Sequence, residues 1–524
     1  MLDRYPHQLV DHVTTRWSRL ETQFHEAYWE SQVRAGPESE RARIELELEL
    51  RELKGNPELL HEVEEALAVE LHDPHLNRQL EVMRLSLLGN QMSAAQRNHI
   101  VELSTEVEGE FASFRPAIEG RPLSDNDILE ILVSSDDESL RRRAWEASKE
   151  IGGRVADRVR ELARSRNEVA VDLGFPDYYR MSLQLQELDE QWLFETLDQL
   201  EHLTREPFED WKRRLDDGLR ERFGVDRVQP WHYSDPFFQD LPSAGGLSLD
   251  EPLRESDAAA LSFKTFSGWG IDLGTVIAAS DLYPRPDKCQ HAFCIDIDRS
   301  GDVRILANVV PGERWVETML HESGHAAYDV SIDHRLPYLL RRPTHTFVTE
   351  AIAILSGRLV RDRSWLTGFA GLREHEVEAL MPDLRRAGAA ERALFARWGL
   401  VMVHFERDLY SDPDADLDAR WWELVERFQL VPPPPERRAP DWAAKIHIAA
   451  SPVYYHNYLL GELLASQLEA VCEREAGGVV GSARAGELLR DRIFNPGASR
   501  RWDELIEEAT GRPLAAEDFA ASLL

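Results

Sequence analysis

Cysteine is nearly missing from this chain: three occur in 524 residues, Cys289, Cys294 and Cys472. An odd, small number in a long chain excludes a disulfide framework and fits a reducing compartment. Cys289 and Cys294 lack metal-finger spacing and a second pair, so they read as ordinary small residues. No run of roughly 18 consecutive apolar residues occurs, which argues against a membrane-spanning helix. The first residues, Met-Leu-Asp-Arg-Tyr-Pro-His, contain no basic segment followed by an apolar stretch. No signal peptide is therefore expected, and the expectation is a soluble cytoplasmic protein. Positive charge is scarce too. Lys and Arg number 61 against 95 Asp and Glu, a formal net charge of −34. Such a surface argues against nucleic acid, whose phosphates demand basic patches, and disfavours anionic membranes. Its plain meaning is solubility, and a weaker one is a preference for cationic substrates. Internal repeats and low-complexity tracts are also absent.

What the chain does contain is mostly helical pattern. Val13, Trp17, Leu20, Phe24 and Tyr28 recur at helical spacing until Gly36-Pro37 breaks the run. Glu38 to Leu53 alternates Glu, Arg and Leu, the texture of a solvated helix face laced with acid–base pairs, or of a charged lid over a cleft. Helical pattern continues through 58–120, with loop signals at Gly89-Asn90 and Gly120-Arg-Pro122. Ser124-Asp-Asn-Asp127 has the residues of a helix start. Further helices are expected over Arg141–Leu173 and Glu190 to about Phe223. From Val225 to Val310, Gly, Pro, Ser and aromatics become frequent, as in Ser243-Ala-Gly-Gly246. Here His291-Ala-Phe-Cys-Ile295 and Val303-Arg-Ile-Leu-Ala307 flank Asp298-Arg-Ser-Gly301, a hairpin signal. Val431 to Pro435, with four prolines in a row, reads as a stiff extended connection. The expected fold class is mainly α, with a small β hairpin beside the motif described next.

Thr318-Met-Leu-His321-Glu322-Ser-Gly-His325 carries His-Glu-x-x-His on a predicted helix. The four-residue spacing puts both imidazoles on one face, one turn apart, as two zinc ligands. Glu322 leaves that face at an angle and can meet a water activated at the metal. In Thr346-Phe-Val-Thr-Glu350-Ala-Ile-Ala, one glutamate sits inside an apolar helical stretch, 350 − 325 = 25 positions on. That span suffices to finish one helix, turn and return. Two histidines and a glutamate leave the fourth zinc position open, the pattern of a catalytic site. An acid among Phe347, Val348, Ile352 and Ile354 needs a partner, and a metal is the best candidate.

Farther on, Lys445-Ile-His447 precedes Tyr454-Tyr455-His-Asn-Tyr458. By spacing alone, clustered tyrosines are more often core or interface residues, a lone histidine is usually a satisfied core residue, and a lysine is usually solvated. A Tyr hydroxyl and a His N–H are nevertheless the donors that stabilise a tetrahedral oxyanion opposite zinc. Lys445 could hold a terminal carboxylate.

Trp421-Trp-Glu-Leu-Val-Glu-Arg-Phe-Gln429, the prolines after it, Ala444-Lys445-Ile-His447 and Tyr455-x-x-Tyr458 together resemble the angiotensin-converting-enzyme family of zinc peptidyl-dipeptidases. The resemblance extends to His291-Ala-Phe, His321-Glu-x-Gly-His325 and Glu350-Ala-Ile. It is weaker at Arg166-Asn-Glu-Val-Ala170, Gly174-Phe175 and Ala509-Thr-Gly511, and covers most of the chain from about Arg141. The two-tyrosine segment and the Gly-Phe-x-x-Tyr run also resemble oligoendopeptidase F and thimet-type oligopeptidases. The resemblance implies one peptidase domain over 1–524, helical and two-lobed with a deep central cleft. In it, helices within about 1–120 would form a lid, and about 285–470 the zinc and substrate region. It implies one zinc ion on His321, His325 and Glu350, with Glu322 as general base and then acid. Tyr458, helped by His447, would stabilise the oxyanion. Lys445 and Tyr455 would hold the substrate's C-terminal carboxylate. His291 and the backbone of Ala292-Phe293 would hold the peptide as a strand added to the hairpin edge.

The chain departs from that family in three places. Asn457 stands where chloride-activated members have arginine, so chloride dependence by that route is not expected. Ile354 stands where an aspartate commonly supports a zinc histidine, and Asp329, one turn beyond His325, is a candidate substitute. The cysteines of secreted animal members have no equivalent pairing here. The expected activity is removal of C-terminal dipeptides from short peptides. The alternatives are an oligoendopeptidase and, less favoured, a catalytically silent peptide-binding protein.

Overall fold

The computed structural model describes residues 4–241 and 249–523; the Ser243–Gly246 run lies outside the described residues. The chain is 70% helical with two small antiparallel hairpins, as the patterning predicts. No helix among the described residues is long and apolar enough to cross a membrane. The chain divides into two compact units, one formed by Met1–Gln91, Leu247–Leu384 and Leu460–Phe519, the other by Met92–Gly246, Arg385–Leu459 and Ala520–Leu524.

The first unit begins with helices Arg4–Val33, Pro37–Lys54, Pro57–Leu67 and Pro74–Leu88. The last three start on proline, whose missing N–H costs nothing in a first turn. Asn56 and Asp73 cap two of them by accepting backbone N–H groups. Val13, Trp17 and Leu20 are buried against a cluster that includes Leu50, Leu53, Leu76 and Leu80. The Glu/Arg-rich second helix exposes the charged face expected of it, with Arg43 bridging Glu40 and Glu47. Glu21, in the middle of the first helix, is buried among polar partners. It pairs with Lys54 at 3.2 Å and Arg299 at 2.6 Å, and accepts the Tyr338 hydroxyl at 3.0 Å.

Strands Phe293–Asp296 and Val303–Leu306 form the expected hairpin in the same unit, with Phe293 opposite Leu306 and Cys294 opposite Ile305. Its turn is shaped by two aspartates: Asp296 accepts the N–H groups of Asp298 and Arg299, and Asp298 those of Ser300 and Asp302. Phe293 and Ile295 pack with Trp29 and Val33 of the first helix. Helix Glu313–Ser331 follows the hairpin, and Thr346–Arg358 returns beside it.

In the second unit the long helix Glu138–Asp172 is the organising element. Its buried Arg141 donates to the carbonyls of Trp231, His232, Tyr233 and Ser135, and so gathers an irregular stretch onto the helix. Gly152 lets the same helix meet the Pro440 carbonyl closely, where any side chain would collide. The second hairpin, Ala117–Ile118 with Arg121–Pro122, falls where sequence pattern shows only a loop signal. Its strands are two residues long, too short for alternation. The turn rests on Glu119 and Gly120, both at positive φ (53° and 80°).

Candidate metal and peptide site

The histidine helix and the Thr346–Arg358 helix approach each other backbone to backbone at Gly324, the glycine inside the His-Glu-x-x-His motif. A Cβ placed there would lie 2.8 Å from Ala353 Cα and 3.0 Å from the Ile352 carbonyl oxygen. Only glycine permits that approach. The contact brings one face of each helix together, and on those faces sit His321, His325 and Glu350.

These three residues offer ligand atoms that all lie within 4.8 Å of one another. Glu350 Oε2 is 3.8 Å from His321 Nε2 and 4.0 Å from His325 Nε2. The imidazole rings stand almost perpendicular, centroids 5.1 Å apart. Burial pushes the His321 pKa down to about 4; burial, then the neighbouring His321, pushes that of His325 to about 3. Both rings are therefore neutral near pH 7 with lone pairs to offer. Two neutral imidazoles and one carboxylate form a donor set suited to zinc. Gly461 also packs close to Glu350: a Cβ placed on it would lie 3.2 Å from Glu350 Cβ.

Glu322 is buried, 8% exposed. Burial, reinforced by the charge of Glu350, raises its carboxyl pKa to about 8, and a hydrogen bond from the Cys294 N–H works in the opposite direction. The hairpin register explains why Cys294 is free to donate. Ile305 turns its own N–H and C=O away, to Ser280 Oγ and the Asp281 N–H. The Cys294–Ile305 pair is therefore a non-hydrogen-bonded one, and the main-chain groups of Cys294 face the open edge. Phe293, by contrast, is turned toward Leu306, so its backbone does not offer the peptide contact expected from the sequence. Ala292 lies just before the strand, and the His291 side chain is exposed.

Neither Ile354, which stands where a carboxylate is common, nor Asp329, its candidate substitute, bonds to the zinc histidines. Ile354 packs its Cδ1 on Gly461. Asp329 makes no side-chain hydrogen bond among the described residues; burial and the charge of Asp296 hold its pKa well above the carboxylate range. The partner of His325 is Thr349, whose Oγ1 lies 2.7 Å from Nδ1. A threonine inside a helix gives no sign of this in the sequence.

The remaining candidates lie in the second unit and form a cluster of their own. Tyr455 and Tyr458 stand edge to face at 5.4 Å, and His447 lies 5.7 Å from Tyr455. The Tyr455 hydroxyl accepts the indole N–H of Trp398 at 2.9 Å. Lys445 donates to Gln239 Oε1 at 2.6 Å and sits over the rings of Phe237 and Trp398. Burial lowers its pKa, against the pull of Asp235 and Asp240. Burial, with Lys445 adding to it, pushes His447 down to about 4. Gln239 and Trp398 were not legible as site residues, because they come from distant parts of the chain.

Before any comparison, the site shows a three-ligand cradle for a metal ion, carried by a helix pair. Residues 278–523, somewhat under half of the chain, match the model of peptidase family M3. The matched stretch contains His321, Glu322, His325 and Glu350, and it marks the chain as a zinc metallopeptidase that uses one zinc ion and acts on peptides. A comparison with curated proteins finds no match.

Proposed function

We propose that the chain is a peptidyl-dipeptidase that removes C-terminal dipeptides from short peptides. Lys445 is the observation that carries this reading. It is a half-buried cation whose hydrogen bond goes to the neutral Gln239, while Asp235 and Asp240 act on it only through their charge, so it can still form a direct ion pair with a substrate carboxylate. Tyr455 stands in the same cluster as a second polar contact for that carboxylate.

In this reading His321, His325 and Glu350 hold the zinc. A zinc ion held there would polarise the scissile carbonyl and make a water molecule more acidic. Glu322, in its ionised form and oriented by the Cys294 N–H, takes the proton of the attacking water and delivers it to the leaving amine. Tyr458 and His447 donate to the developing oxyanion, where one preorganised donor is typically worth about 3 kcal/mol. Ala292, just before the strand and beside His291, pairs with the extended main chain of the substrate.

A second reading is an oligoendopeptidase, since the match to peptidase family M3 fits both activities equally. Peptides of one sequence, with free and with amidated C-termini, decide between them. A peptidyl-dipeptidase loses most of its activity on the amidated peptide and releases dipeptides from the free one. Equal cleavage of both peptides at internal bonds would leave only the second reading.

A further inference from the structure

We infer that Thr349 is the residue that positions His325 for zinc. The hydrogen bond between His325 Nδ1 and Thr349 Oγ1, at 2.7 Å, is best read with the ring donating. A ring that gives its Nδ1 proton to a fixed acceptor keeps the Nε2 lone pair free and its plane set. That Nε2 is the atom 4.0 Å from Glu350 Oε2. Thr349 immediately precedes Glu350, so one turn of one helix supplies both a ligand and the acceptor that aims another ligand. The close approach at Gly324 brings that turn within reach of His325.

The acceptor is a hydroxyl, and this distinguishes the site. Ile354 offers no polar atom, and Asp329 lies instead with Asp296 and Cys294 beneath the hairpin. A neutral oxygen accepts a weaker hydrogen bond than a carboxylate does. The zinc is therefore held less tightly than a carboxylate-backed histidine would hold it, and the residue that sets this is Thr349.

This role rests on the reading of His321, His325 and Glu350 as zinc ligands, and the experiment separates the two. Zinc affinity is measured by competition with a chromophoric chelator for the metal-free wild type, Thr349→Val and Thr349→Ser. Cobalt is substituted in parallel for its absorption spectrum. Val keeps the shape and removes the acceptor, and its zinc Kd is expected to rise about tenfold or more, the usual effect of losing such a partner. Ser restores the acceptor, and its Kd is expected to return close to that of the wild type. Should the Val protein fail to fold, Thr349→Ala compared with Thr349→Ser gives the same contrast. A wild type that takes up no zinc overturns the ligand assignment. A wild type that binds zinc, with a Val variant binding equally well and giving the same cobalt spectrum, overturns only the role of Thr349.

Discussion

Glu21 of the first helix and Arg299 of the hairpin turn form a buried ion pair at 2.6 Å, joining two segments that are far apart in sequence. Burial works against the charge of Glu21, but Arg299 and Lys54 overcome it and hold the carboxyl at about 2, below its ordinary value of 4.5. The ionised form is the one the fold favours. Its stabilisation is fully present above pH 4.5 and disappears as pH falls through about 2.

Glu21→Gln leaves Arg299 and Lys54 without their acid, and the expected loss is about 3 kcal/mol at pH 7. Denaturant unfolding of wild type and variant at several pH values checks it. The gap between them should narrow steadily from about pH 5 toward about pH 2, and a gap independent of pH would contradict the ion pair's role.

Glu322→Gln keeps an acceptor for the Cys294 N–H but cannot take a proton. Peptide hydrolysis is expected to fall by about 10²–10⁴ or more, while zinc content stays at that of the wild type. Activity assays and metal analysis on the same preparation measure both. Normal turnover by the Glu322→Gln protein would sink the assignment of Glu322.

Lys445→Met removes the charge and keeps much of the stem. The ratio of kcat/KM for free over amidated peptides should drop about 10–100-fold, the worth of a charge-assisted hydrogen bond. Activity on the amidated peptide should change little. A loss of equal size on both substrates would mean that Lys445 supports the fold rather than reads the C-terminus.

Gly324→Ala adds one methyl group between two backbones. Its gain in helix propensity is about 1 kcal/mol, against overpacking of about 1–3 kcal/mol that no side-chain rotation relieves. Lower thermal stability and weaker zinc binding together are the expected result, since the clash lies between the two helices that carry the ligands. Calorimetry and a zinc titration test it.

The sequence made this site legible where the chemistry is local. His321 and His325 announce themselves by spacing within one helix, and Glu350 by being an acid in an apolar turn. The hairpin was visible because Asp298-Arg-Ser-Gly301 has turn chemistry between β-compatible runs. What stayed hidden depends on how separate elements meet. Thr349 looks like any helical threonine until His325 is beside it. The Cys294 N–H gains its meaning only from a register that turns Ile305 the other way. Gln239 lies more than two hundred positions from Lys445. Ile354 was legible as a missing carboxylate, but the replacement was sought at Asp329 because helical spacing on one helix can be counted, whereas approach between two helices cannot.

The contact at Gly324 makes the ligand cradle a product of backbone packing between two helices. Small zinc domains collapse without their metal, because the ion itself is their core. Here the core beneath the ligands consists of helices packed on each other, so chelation should empty the site and lower the melting transition by the ion's binding free energy alone, without unfolding the chain. The metal then behaves as an exchangeable tool in a permanent handle. Cobalt or manganese could be traded in from solution without refolding the chain.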